Sequence, residues 1–270
     1  MKRASFLLPV ATLAALLLVA DSAKARDRGA DGEFSKRTSR HFVLYQDVDI
    51  DRTSGFRGSR RFEQQTLEVL EAAYDQLAEK LGLRPERPIT VVVYDPGVFD
   101  ARFGGLFRFP AAGFYGDSIH LRGDTVVTDR LVAVLHHEFV HAALHDAAPT
   151  LVVPAWLNEG IAEWFEARAL GKRQLAAEEK SWLRDRAEKG QLYSLAELST
   201  PNLGHLEPAA ARAAYLQSYA FVDFLVRRHG ERRLREALAD FLRTRKLERS
   251  MRRSYRDSLP DLEARFREDL

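Results

Sequence analysis

The sequence predicts an α+β fold, with strands confined to the first half of the chain and helices filling the second. Three observations carry this. Ile89 to Tyr94 reads ITVVVY, a β-branched run behind Pro85 and Pro88 that favours a strand. Leu67, Leu70, Tyr74, Leu77 and Leu81 recur at steps of three and four, which is one apolar helix face closed by Gly82. From Leu131 onward, long segments of good helix formers alternate with breaks at Pro or Gly.

The N-terminus opens with Lys2 and Arg3. An apolar run from Phe6 to Ala20 follows, interrupted by Thr12, and then Ala23-Lys24-Ala25. A charged start, an apolar stretch and an A-x-A site describe a secretory signal peptide over residues 1–25, with cleavage expected after Ala25 and export to the periplasm or the medium. The run is shorter than the roughly twenty residues needed to span a bilayer, and it contains Pro9. The mature chain is therefore expected to carry no transmembrane segment. The formal charge of +2 belongs to the signal as well, which holds Lys2, Arg3 and Lys24 against Asp21, so the mature chain is neutral. Net charge thus points to neither nucleic acid nor an acidic membrane. The chain has no cysteine. That excludes disulfides, thiolate metal ligands and a lipoprotein anchor, and it agrees with an oxidising compartment.

Residues 26–40 are polar and read as a flexible lead, with structure expected from His41, where HFVLY looks like a strand. With the helix over Leu67 to Leu81 and the strand over Ile89 to Tyr94, this makes a strand-helix-strand unit. Phe99 to Tyr115 then concentrates Phe99, Phe103, Phe107, Phe109, Phe114 and Tyr115 among glycines. The segment reads as core under a loop, the rival being an apolar substrate subsite. Ala112 to Leu121 looks like a hairpin turning at Gly116-Asp117. An exposed strand there can hold an extended peptide through its backbone.

Leu131 to His145, LVAVLHHEFVHAALH, contains His137-Glu138-Phe139-Val140-His141 in a stretch free of Gly and Pro. On a helix, positions four apart are separated by about 40° in angle and roughly 6 Å along the axis, so both imidazoles reach one ion. Glu138 sits beside that ion, placed to take a proton from water activated by it. Leu131, Val134, Leu135, Phe139 and Val140 anchor the helix in a core that this polar stripe interrupts. A buried polar stripe needs partners, and a metal satisfies both imidazoles. His136 points about 100° away and serves support or capping, whereas His145 lies about 12 Å along the axis from His137, too far to share its ion.

After a break at Asp146 to Pro149, Pro154 opens a second helix, AWLNEGIAEWFE, whose buried side is marked by Leu157, Ile161 and Trp164. A catalytic zinc takes three protein ligands and keeps one position open, so His137, His141 and Glu159 complete a set for one Zn2+ per chain. Glu163, one turn on, is placed to accept the second N–H of a ligand histidine, and Asn158 is assigned a supporting place beside it.

HEFVH followed by WLNEGIAEWFE resembles the gluzincins of the peptidase MA clan, in which a second helix with an N-E-G-x-A type motif supplies the glutamate ligand. The resemblance extends less specifically from Ile89 through AAGFY to AYLQSYAFVDFLVRRHG. It implies a thermolysin-like core, with a small mixed β-sheet lobe packed on the metal-binding helix and an all-helical C-terminal lobe. Residues 41–270 would then be a single metallopeptidase domain, divided near residue 170. It also implies zinc on His137, His141 and Glu159, Glu138 as catalytic base, and a tyrosine in the region of Tyr215 and Tyr219. Either phenol can hydrogen-bond an oxyanion, and core packing is the simpler role for both. The G-x-M-x-N segment by which large aminopeptidases of the clan hold a substrate amino terminus is missing, as is the HExxHxxGxxH pattern of metzincins. The expectation is an endopeptidase acting on peptide or protein substrates. A peptide-binding scaffold without turnover and a hydrolase of another envelope amide are the alternatives.

Farther on, residues 172 to 190 read as a charged helix closed by Gly190, Ala209 to His229 as a long helix closed by Gly230, and Leu247 to Leu270 as one or two closing helices with Pro260 near the start of the last. Arg227 to Arg256 holds twelve Lys or Arg. Such a run is either the solvated outside of Arg-rich helices or a dock for an anionic partner such as a phospholipid surface or a cell-wall polymer.

Overall fold

Among the described residues, five strands form one sheet. They are β1 (Ser35–Thr38), β2 (Phe42–Gln46), β3 (Ile89–Tyr94), β4 (Gly113–Tyr115) and β5 (Ile119–Arg122), in the spatial order β1-β2-β3-β5-β4. The computed structural model describes residues 34–48, 58–106 and 111–270, so the export signal, Phe107 and Phe109 lie outside the described residues. β2, β3 and β5 run parallel, and the two edge strands are antiparallel to their neighbours. β1 overturns part of the expected lead. Its sequence, SKRT, has no apolar alternation because it is an edge strand, held by its register with β2 from Ser35↔Gln46 to Thr38↔Val43.

The sheet has two distinct faces. Phe42, Leu44, Val91, Val93, Ile119 and Leu121 point to the main core, whereas Val92 and Tyr94 point to a smaller cluster. The main face is covered by α1 (Gly58–Leu81), which ends at Gly82 with φ 71 as its sequence predicts, and by α3 (Asp129–Ala147). The opposite face is covered by a helix that sequence reading treated as loop, α2 (Pro96–Phe103), capped by Asp95 and opened by Pro96. It brings Phe99 and Phe103 onto Tyr94 and Phe114, so these aromatics are core.

Beyond the sheet come α4 (Ala155–Ala169), α5 (Ala177–Glu188), α6 (Pro208–His229), α7 (Glu231–Thr244), α8 (Leu247–Tyr255) and α9 (Leu259–Asp269). α6 is the axis of this lobe, buried on nearly every side. Phe221 and Phe224 meet Phe266 of α9, and Trp156 of α4 packs on Phe221. Asp223 of α6 is fully buried between Arg168 and Arg227, an ion-paired tie between α4 and α6. No helix among the described residues is long and apolar enough to cross a membrane.

Candidate active site

The site forms where α3 and α4 cross. Thr128 caps α3 by accepting from the Leu131 N–H, and Leu135, Phe139 and Val140 are fully buried, which fixes the direction of its polar stripe. His137 and His141 stand one turn apart with ring centroids 5.0 Å from each other. α4 arrives with Trp156 and Trp164 fully buried beneath it and brings Glu159, 7 % exposed, onto the two imidazoles. Its Oε2 lies 3.4 Å from Nε2 of His137 and 3.4 Å from Nε2 of His141.

These separations test whether a metal fits. Three atoms each bound to one zinc at about 2.0–2.1 Å in tetrahedral geometry stand about 3.3–3.4 Å apart. A charge-assisted hydrogen bond between imidazole and carboxylate would close to about 2.7–2.9 Å. Glu159 Oε2 is buried with no hydrogen-bond partner among the described residues, and an orphaned carboxylate oxygen is what an absent cation leaves behind. The other ring nitrogens are already engaged. His137 Nδ1 donates to Glu166 Oε2 at 3.1 Å, and His141 Nδ1 donates to Asn158 Oδ1 at 3.0 Å. Both Nε2 atoms are thereby left as lone-pair donors toward one point, so His137, His141 and Glu159 form a group that can hold a metal ion.

The charged groups of the site act strongly on one another. Burial disfavours ionisation of Glu159, but the His141 and His137 imidazoles overcome it and hold the carboxyl well below the usual range. Burial pushes Glu138 up, opposed by the same two rings. Glu163 is also pushed up by burial, to about 7, against the pull of His137. Four glutamates, 138, 159, 163 and 166, line the cleft, whereas no Lys or Arg does among the described residues.

One sequence expectation is corrected here. The second N–H of His137 goes to Glu166, not to Glu163, which lines the cleft one turn earlier. Glu166 was missed although a signal existed: it is seven residues from Glu159, nearly two turns, and so shares its side of the helix. Asn158 lies against the His141 ring. His136 is clear of the site, its Nδ1 donating to the Val132 carbonyl at 2.8 Å. His145 meets the Tyr115 hydroxyl at 2.9 Å at the far end of the cleft. The two tyrosines separate: Tyr215 lines the cleft and its phenol is kept protonated by burial and by Glu159, Glu163 and Glu138, whereas Tyr219 is 3 % exposed with Lys172 over its ring.

The cleft has a volume of about 1080 Å³ and is walled on one side by β4. Arg122 N–H donates to the Ala112 carbonyl and Gly116 N–H to the Ser118 carbonyl, so in the antiparallel alternation Ala112, Phe114 and Gly116 face β5. Gly113 and Tyr115 then turn their backbone groups to the free edge. Gly113 is required for this closeness, since a Cβ there would stand 2.7 Å from both Leu121 Cδ2 and Val134 Cγ1.

The Peptidase MA superfamily model matches residues 70–270, which includes every residue of this site. The chain belongs to the peptidase MA superfamily. A search of curated protein sequences finds no significant match. Membership of the superfamily supports a peptidase or peptidase-like domain, and metal dependence is frequent among its members.

Within this superfamily domain, Gly160, directly after Glu159, sets the approach of α4 to α6. A Cβ at Gly160 would lie 2.5 Å from the Ser218 carbonyl oxygen and 2.7 Å from Val222 Cγ2. A helix-interior glycine costs about 1 kcal/mol against alanine, and here it is the condition for backbone contact. Gly160→Ala is accordingly expected to lower stability by about 1–3 kcal/mol and to weaken metal binding by displacing Glu159. Chemical denaturation and metal titration check this, and a variant at least as stable with unchanged affinity would contradict it.

Proposed function

We propose that the protein is an exported, zinc-dependent peptidase of the gluzincin type that cuts within peptide chains. The observation that carries the proposal is the convergence of two Nε2 atoms and one carboxylate oxygen at the spacing of zinc ligands, with both Nδ1 atoms engaged behind them. Zinc held there supplies Lewis acidity, polarising a carbonyl and making water acidic enough to lose a proton near neutral pH.

The chain's own residues do the rest. An extended peptide adds to the free edge of β4 through the backbone groups of Gly113 and Tyr115, which gives affinity with little sequence selectivity. Glu138 is 7 % exposed and lines the cleft beside both histidines. Its carboxylate takes the proton of the attacking water and passes it to the leaving nitrogen. Tyr215 is a protonated phenol in the same cleft, and it donates to the carbonyl oxygen as charge develops there.

Incubation of the mature protein with a peptide library is expected to give internal cleavages that stop with a chelator and resume with zinc. Cleavage insensitive to the chelator, or release of single N-terminal residues only, would overturn this reading. Export rests on Lys2-Arg3, the apolar run and Ala23-Lys24-Ala25. Mass spectrometry of protein from the host envelope is expected to find a chain starting at Arg26, and an intact chain kept in the cytoplasm would refute export.

A further inference from the structure

α8 carries its charge on one side. Ser250, Met251, Ser254 and Tyr255 are buried, whereas Arg249, Arg252, Arg253 and Arg256 follow at steps of three, one and three along the exposed side. Lys246 precedes the stripe, and Arg243 joins it from the end of α7 by sharing Asp240 with Arg253. Only Asp240 and Glu248 oppose these cations with ion pairs, and Lys246, Arg249 and Arg256 have none among the described residues.

A second observation is independent of charge. Among the described residues Gly82, Gly171, Gly190 and Gly230 have positive φ, and the non-glycine residues that share it there are Arg245 at φ 60 and Arg256 at φ 64, which end α7 and α8. The left-handed conformation favours glycine, so arginine at both positions sacrifices some stability. Both are exposed and both flank the stripe. When a local rule is broken twice on one surface, a function for that surface is the economical explanation.

A third observation locates this face. Arg245 donates to Thr150 Oγ1 at 2.7 Å, and Thr150 leads into Leu151, Val152 and Val153, which line the catalytic cleft. Val152 is 66 % exposed. A cation that flanks the stripe is thus tied, two residues away in the chain, to an exposed aliphatic side chain at the rim of the cleft.

We propose that this face docks on an anionic lipid bilayer and turns the mouth of the cleft toward the membrane surface. A bilayer takes both features, anionic headgroups pairing with the guanidinia and the interface accepting Val152. Nucleic acid suits the face less well, because the exposed stripe has no aromatic or amide side chain to stack on or read a base. The neutral net charge of the mature chain is no obstacle, since surface potentials act over about a Debye length and sense the local stripe. Bilayer binding does not depend on turnover, so this proposal stands or falls apart from the catalytic reading.

The test is sedimentation of the mature protein with vesicles of equal parts phosphatidylcholine and phosphatidylglycerol. Binding is expected at low salt, weakening as salt rises, and absent with pure phosphatidylcholine. The triple variant Arg249→Ala, Arg252→Ala, Arg256→Gly is expected to lose on the order of a hundredfold in vesicle affinity, at roughly fivefold per cation, while its cleavage of soluble peptide is unchanged. Arg256→Gly alone separates a binding role from a structural one: unchanged or raised Tm with roughly fivefold weaker vesicle binding supports the proposal. A lowered Tm with unchanged vesicle binding overturns it. Because the chain has no cysteine, Val152→Cys offers a single site for an environment-sensitive dye, expected to shift to the blue on anionic vesicles. No vesicle binding at low salt, equal binding to neutral vesicles, tighter binding to polyglutamate or an oligonucleotide than to vesicles, or binding without a dye shift would each overturn the proposed docking.

Discussion

Glu138→Gln is expected to reduce peptide turnover by about 10²–10⁴-fold while fold, metal content and peptide binding stay as they are. Glutamine preserves the shape and a hydrogen-bonding tip, but it cannot accept a proton at neutral pH. The metal set needs only His137, His141 and Glu159, whose donor atoms lie within 4.8 Å of one another without Glu138. The side chain is buried beside the His137 and His141 rings and the Glu159 and Glu166 carboxylates, so an isosteric change leaves no cavity. Peptide is expected to accumulate as a bound complex that the active enzyme does not show. The measurement is single-turnover cleavage beside peptide affinity, with complementation of a deletion strain at matched protein level. Full rescue by the variant would show that the cellular role is that of a peptide-binding scaffold.

Metal content is expected to grade with distance from the ion. Wild type should carry about one zinc per chain, and His137→Ala or Glu159→Ala should lose most of it, because each removes one of three ligands. Glu166→Gln and Asn158→Ala leave all three ligands in place. They remove only the partners that turn the rings, Glu166 from His137 Nδ1 and Asn158 from His141 Nδ1. Loss of such a partner typically weakens metal binding about 10–100-fold, so these two variants should purify with zinc and release it to a weak chelator. Glu163→Gln, which removes neither a ligand nor a ring partner, is expected to stay near wild type. Elemental analysis followed by chelator competition orders the series. Full zinc in His137→Ala and Glu159→Ala would end the assignment, and loss in Glu163→Gln equal to that in Glu166→Gln would transfer the supporting role back to Glu163.

The parts of this site that sequence determined by itself are those set within one helix or by local backbone chemistry. His137, Glu138 and His141 were legible because helix geometry alone places residues four apart on one stripe, and the apolar residues around them show that the helix is buried. Glu159 followed from the same periodicity on a second helix and from the ligand count of a catalytic zinc. The strands at β2 and β3, the hairpin of β4 and β5, and the stop at Gly82 were equally local.

What sequence left open depends on how elements meet. Glu163 and Glu166 both lie on the side of α4 that carries Glu159, and a helical wheel hardly separates them. The crossing of α3 and α4 does, by setting Asn158 against His141 and Glu166 against His137, so that the two helices run in opposite directions past each other at the site. Tyr215 and Tyr219 are one turn apart on α6, yet the packing of α4 and the position of Lys172 leave one in the cleft and bury the other. β1 has no alternation to read, because an edge strand is held by its neighbour's backbone and shows little in its side chains. Gly160 looked like a motif letter until the Ser218 carbonyl stood 2.5 Å from where its Cβ would be. Periodicity records which way a side chain leaves its own helix, whereas the partner it finds is decided by the angle and spacing at which a second element packs against the first.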